Sequence, residues 1–210
     1  MQTMETWVDL LRHGEVAGGP RLRGARSDDP LTVAGSDALA AATNGQSWDV
    51  IATSPALRCH AFARTLAERL QAPLCVDTRL GEYDFGDWDG RPLDALWREA
   101  GNELAAFFAD PDALTPPGGE TAAHFRARVR AAWAELVERG GGGRVLVLGH
   151  GGVLRQFVAD TLGIPGNPHV ALEWPHAAMS RIRVFEAPDE PPARALAFHA
   201  CRTGAAGRQA

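Results

Sequence analysis

The chain has 210 residues, enough for one compact domain with a full core that needs no disulfide or metal to hold it. Hydrophobic residues make up 45% and charged residues 22%, a globular balance that excludes a largely disordered chain. The net charge of −5 argues against a general nucleic-acid or membrane-surface role. All 21 basic residues are arginines, so abundance carries no functional weight and only arginine position does. Cys59, Cys75 and Cys201 are an odd set without CxxC or metal-ligand spacing, as expected of reduced thiols. No signal-peptide pattern opens the chain and no apolar stretch approaches a membrane span, so the expected location is the cytoplasm. A single domain is expected over residues 1–200, with 201–210 as a tail.

In chain order, Trp7 to Leu11 reads as a buried first strand that stops at Arg12-His13-Gly14. Gly18-Gly19-Pro20 and Asp28-Asp29-Pro30 punctuate the loop after it. An alanine-rich helix follows Leu31-Thr32 to about Asn44-Gly45, and Asp49 to Thr53 is the second strand. Ser54-Pro55 offers an N-cap with proline at the first helical position, ahead of a helix carrying Phe62, Leu66 and Leu70. Pro73 to Val76 is a short strand, Gly81 to Gly90 an acidic, aromatic loop, and Pro92 to Phe108 a helix. Beyond the loop from Asp110 to Gly119, Phe125, Val129, Trp133 and Leu136 repeat on one helical face, which the glycines at 140–143 terminate. Val145 to Leu148 is uninterrupted and apolar, as in a parallel sheet covered on both faces. It ends in Gly149-His150-Gly151-Gly152 and leads into a helix through Leu154, Phe157 and Val158. Arg181 to Phe185 and Ala195 to Phe198 form a closing hairpin. Strands alternating with helices argue for an α/β sandwich around a mainly parallel sheet.

In such sheets, ligands bind beyond the carboxyl ends of the strands. The first strand delivers Arg12 and His13, the second is followed by Ser54 and Arg58, and the long apolar strand delivers His150. A pocket of two histidines and two arginines suits a phosphate, which matches the charged, planar guanidinium fork. It does not suit zinc, which the arginines repel and for which no carboxylate completes a set; no metal or cofactor is expected. Gly14 is expected to let the backbone turn and aim the His13 imidazole. Arg58 falls in the first turn of its helix, where free N–H groups and the dipole favour anions. Glu82 lies in a loop able to close over the pocket and give a leaving alkoxide its proton, with Asp84 and Asp87 as competitors.

Arg12-His13-Gly14-Glu15 resembles the signature of the histidine phosphatase (phosphoglycerate mutase-like) superfamily. The resemblance continues through Pro30-Leu31-Thr32 with Gly35, Ser54-Pro55 with Arg58, and Glu82 with Phe85-Gly86 and Trp88 to Gly90. It extends through Pro117-Gly118-Gly119-Glu120 with Arg128, and through Gly149 to Gly152, in the family's order over residues 6 to 185. It implies a three-layer α/β/α fold, His13 as phosphate acceptor, Arg12, Arg58 and His150 on the phosphoryl oxygens, and Glu82 as proton donor. Gly14, Glu15 and Gly151 join these as candidate substrate contacts, with His176 a candidate at the border of the pocket. The spacing between Gly24 and Pro30 is one residue longer than the family's usual one, so neither Arg21 nor Arg23 is assigned to substrate. The short chain and the loop from Glu82 to Gly90 look most like alpha-ribazole phosphatases and their small-molecule phosphatase neighbours.

The expected ligand is a small phosphorylated substrate, and the oligomeric state stays open. A phosphomonoesterase is the leading reading. The alternatives are a mutase of the same fold, a noncatalytic phospho-ligand binding module and, weakest, a metal-dependent hydrolase. Asp9 sits four residues from His13, about 13 Å at strand rise, and reads as structural. His60, His124, His169 and His199 read the same way, and Trp88 and Trp97 read as packing residues.

Overall fold

The computed structural model describes residues 4–165, 167, 171–188 and 190–202. Its strands are β1 (Met4–Arg12), β2 (Val50–Thr53), β3 (Leu74–Val76), β4 (Arg144–Gly149), β5 (Met179–Glu186) and β6 (Ala193–Cys201). Its helices are α1 (Val33–Thr43), α2 (Leu57–Leu70), α3 (Leu93–Ala109), α4 (Ala122–Gly140) and α5 (Gly151–Leu162). The strands form one sheet in the order β3-β2-β4-β1-β5-β6. β3, β2, β4 and β1 pair in parallel, and the β5–β6 hairpin adds to β1 antiparallel.

Side-chain alternation along the strands builds two cores, one on each face. Val145 and Val147 of β4 join Val8 and Leu10 of β1 beneath α3, α4 and α5, through Phe107, Val129, Trp133 and Phe157. Leu146 and Leu148 point the other way, joining Leu11 and Ile51 beneath α1 and α2, through Leu39, Cys59 and Leu66. This is the three-layer α/β/α sandwich around a mainly parallel sheet.

The local signals act as their chemistry dictates, with some exceptions. Thr32 caps α1 by accepting the Gly35 N–H at 2.9 Å, and Thr121 caps α4 by accepting that of His124 at 3.2 Å. Gly141 and Gly163 close α4 and α5 in the left-handed conformation, at φ of 50° and 63°. Ser54 is not the cap of α2; Ala56 stands there without a side-chain bond, and the helix starts at Leu57. β1 starts at Met4 rather than Trp7, because its polar beginning pairs with the end of β5, Met4 opposite Glu186. Cys201, placed with the tail from sequence, ends β6; residues 203–210 and His169 lie outside the described residues. Trp88 is core, but Trp97 is half exposed on α3.

Asp9 is fully buried, accepting hydrogen bonds from Trp48, Arg144 and Arg181. That matches its structural reading. The sheet places the chemistry through register. Arg12 lies opposite Gly149, and the His13 N–H donates to the Gly149 carbonyl at 2.9 Å. His13 and His150 therefore leave neighbouring parallel strands at the same level.

Candidate active site

His13 is 6% exposed. Its Nδ1 lies 2.8 Å from the Gly14 carbonyl oxygen, which can only accept, so Nδ1 carries the proton and Nε2 the lone pair. Burial first, then the Arg12 charge, holds its pKa well below the usual histidine range. The imidazole is thus neutral at neutral pH, the form that attacks as a nucleophile. Gly14 is needed for a different reason from the one expected. A Cβ there would fall 2.1 Å from the Gly35 carbonyl oxygen, so the requirement is close backbone packing against α1.

His150 is fully buried at the start of α5, its Nε2 2.8 Å from the Ser54 hydroxyl. Ser54 also accepts the Ala56 N–H at 3.2 Å, so it ties the imidazole to the turn before α2. Burial, then Arg58, then His13 push the His150 pKa well below its ordinary value. The His13 and His150 rings stand edge to face with centroids 5.5 Å apart. His176 lies 5.2 Å from the His13 ring, and burial, then Arg12, bring its pKa down to about 4.

Two arginines complete the cluster. Arg12 donates Nη1 to the Trp174 carbonyl, and burial, followed by the Arg155 charge, lowers its pKa to about 10. Arg58 is fully buried in the first turn of α2, its two terminal nitrogens held by the carbonyls of Ser27 and Gly24. The Nε–H groups of both are buried with no partner among the described residues. Charged donors in that state are suited to an anion. Gly151 makes room for the cluster, since a Cβ there would meet Arg155 Nη1 at 2.6 Å.

The single pocket expected from sequence is two adjoining lobes. Arg12, His13, Glu15 and His176 border a cavity of about 620 Å³. Ser54, Arg58 and His150 border one of about 450 Å³, and Glu82 borders both. Glu82 Oε2 accepts the Gly152 N–H and Oε1 the Tyr83 N–H, each at 3.0 Å. Its competitors are placed elsewhere. Asp84 pairs with Arg26 at 2.8 Å, and neither it nor Asp87 borders either lobe. Glu15, exposed at the rim, accepts the Thr32 hydroxyl at 3.0 Å. Arg21 and Arg23 do border the larger lobe, but their guanidiniums are engaged by their own loop and by the Gly90 carbonyl.

Sequence reasoning missed how the acid loop is held. Arg128 uses all five N–H donors: on the carbonyls of Arg79, Gly81 and Glu82, and twice on the Glu120 carboxylate. Glu120 in turn accepts the Asp84 N–H at 2.9 Å. The resemblance includes Glu120 and Arg128, but only the folded loop explains them. Among the described residues no three His, Cys, Asp or Glu side chains are placed to hold a metal ion, and no helix is long and apolar enough to cross a membrane.

The three depressed histidines give a testable pH dependence. Each has a folded pKa below its unfolded value of about 6.5. Their neutral forms contribute stability that is fully present above about pH 6.5 and lost progressively as pH falls from there to the folded values. The urea midpoint is therefore expected to fall already between pH 6.5 and 5, above the ordinary carboxylate range. A midpoint flat across that interval would contradict the assignment.

The profile of the histidine phosphatase superfamily, branch 1, matches residues 8–189. The chain belongs to that superfamily. It is 29% identical over 185 residues to the probable phosphoglycerate mutase GpmB of Yersinia enterocolitica, covering 86% of each chain. A mycobacterial glucosyl-3-phosphoglycerate phosphatase superposes with a TM-score of 0.78 at 28% identity, covering 92% of this chain and 98% of that one. The alpha-ribazole phosphatase of Shigella flexneri does so with a TM-score of 0.78 at 25% identity, covering 95% and 97%.

Proposed function

We propose that the chain is a phosphomonoesterase acting without a metal on a small phosphorylated metabolite in the cytoplasm, through a phosphohistidine on His13. The observation that carries the reading is the Nδ1–H bond of buried His13 to Gly14, beside two arginines whose buried Nε–H groups meet no acceptor among the described residues. That bond leaves a neutral Nε2 lone pair for phosphorus. Arg12, Arg58 and His150 hold the phosphoryl oxygens, balancing the charge that builds on them. As the ester P–O bond breaks, Glu82 in its acid form gives the leaving oxygen a proton. Glu82, now a carboxylate, takes a proton from the water whose oxygen attacks phosphorus; the P–N bond breaks, its electron pair returns to His13 Nε2, and inorganic phosphate leaves.

An alpha-ribazole phosphatase-type substrate fits the Shigella flexneri neighbour. The phosphoglycerate mutase relatives favour a second reading, in which the phosphohistidine returns its phosphoryl group to substrate. A requirement for a bisphosphorylated primer would select that reading. The test of the leading one is rapid quenching of native protein during turnover. It is expected to trap an acid-labile, base-stable phosphate that maps to His13. EDTA is expected to leave turnover unchanged, whereas vanadate, which the mycobacterial neighbour binds as VO3, is expected to inhibit. Label on serine, aspartate or cysteine would end the proposal.

A further inference from the structure

The larger lobe has room for far more than a phosphate. At about 620 Å³ it falls in the range of pockets that enclose drug-sized ligands. A three-carbon acid would leave most of it unfilled. Its apolar lining comes from separate parts of the chain: Leu22 from the loop after β1, Phe85 from the acid loop, and Leu93 and Phe108 from the two ends of α3. Leu22, Leu93 and Phe108 are only partly buried, so they retain apolar surface for a ligand to cover.

The charges on this lobe offer little to a second anion. Arg23 pairs with Asp29 at 3.0 Å, is 13% exposed, and donates also to the carbonyls of Gly19 and Ala17. Arg21 donates to the carbonyls of Gly18 and Gly90, at 3.0 and 2.8 Å. Glu15 brings a carboxylate to the same space, and Glu82 becomes a second once it has given up its proton. A carboxylate on the leaving group would meet Arg23 already paired with Asp29, Arg21 held on backbone carbonyls at the exposed rim, the Glu15 side chain and the bound phosphate's own charge. Water solvates it better.

We infer that the alcohol released from phosphate is uncharged and presents an apolar ring to the Leu22, Phe85, Leu93 and Phe108 wall, and that it is not a small carboxylic acid. This deepens the phosphatase reading and rests on it. The contact lies away from the reacting bond, so it holds ground and transition states alike and acts mainly through KM.

The test compares kcat/KM for 2-phenylethyl phosphate, ethyl phosphate and 3-phosphoglycerate. The first two release alkoxides of similar basicity and differ by one ring. Covering a ring is expected to favour 2-phenylethyl phosphate by about 10- to 100-fold. 3-Phosphoglycerate is expected to do no better than ethyl phosphate. Phe108→Ala is expected to erase the phenylethyl-to-ethyl ratio, chiefly by raising KM for the ring-bearing ester. A wild-type ratio near one, or 3-phosphoglycerate as the best of the three, overturns the inference without any variant having to fold. The phosphohistidine trap, and whether p-nitrophenyl phosphate is hydrolysed at all at saturating concentration, report on the chemistry whatever the wall contributes to KM. If both succeed and the ratio is flat, only the leaving-group inference fails; if both fail, the phosphatase reading falls with it.

Discussion

Replacing His13 with alanine is expected to lower turnover by on the order of 10⁴-fold or more, and to abolish the phosphoenzyme. Two buried, neutral histidines stand 5.5 Å apart, and the variant decides which of them attacks. His150 Nε2 is already 2.8 Å from the Ser54 hydroxyl, and its ring lies close to the Cys59 thiol. His13 spends only Nδ1, on its neighbour's carbonyl, and borders the larger lobe. That geometry favours His13 as the proposed nucleophile and His150 as the proposed donor to the phosphoryl oxygens. Because that one hydrogen bond is local, His13→Ala is expected to fold. It is also expected to lose stability less steeply in acid than the native chain, since one depressed histidine is gone. Rapid-quench labelling measures the first effect and urea midpoints against pH the second. A His13→Ala protein that still acquires label, or His150→Ala failing to label while His13→Ala succeeds, would reverse the roles.

Most of the scaffold of this site is legible in the sequence, because strong periodic signals build it. The apolar run Val145 to Leu148 requires a strand buried on both faces, and such strands end where polar loops begin. That is enough to bring Arg12, His13 and His150 to one edge of the sheet. What stays hidden depends on contacts between segments distant in sequence. Ser54-Pro55 carries a local capping pattern, yet the Ser54 hydroxyl is taken by His150, 96 positions later, and the helix starts elsewhere. Gly14 looks like a turn residue, but it is constrained by α1 packing onto it. The Arg128 clamp spans up to 49 positions, and no local pattern announces that a helix arginine will hold two carbonyls of the acidic loop and one just before it. Trp97 shows the opposite error. Its size suggests burial, but its face of α3 turns to solvent.

Glu82→Gln is expected to slow phosphoryl transfer from an alkyl phosphate far more than from an aryl phosphate with an acidic phenol. The alkyl ester leaves as a basic alkoxide that needs a proton, whereas the phenolate leaves without help. General acid catalysis is typically worth about 10²- to 10⁴-fold, so the gap between the two losses is wide enough to read. The substitution is not a clean exchange at this position. Both Glu82 oxygens accept backbone N–H groups, from Tyr83 and Gly152, and glutamine has only one oxygen to offer. Its amide nitrogen must face one of these donors, leaving a partly buried N–H unpaired at a cost of about 1–3 kcal/mol. The acid loop is therefore expected to shift, and absolute rates to fall for both esters. The ratio of the two losses cancels that shift, because displacement handicaps both leaving groups while proton transfer matters to one. Arg128 holds the Glu82 carbonyl at 2.9 Å, so Arg128→Met supplies the control. It moves the loop while keeping the acid, and is expected to lower both rates with a smaller gap between the esters. The measurement must be single-turnover, since in the proposed mechanism Glu82 also takes the proton of the attacking water when the phosphoenzyme breaks down. Equal losses for the two esters in Glu82→Gln would leave Glu82 as a residue that only positions substrate at the mouth of α5.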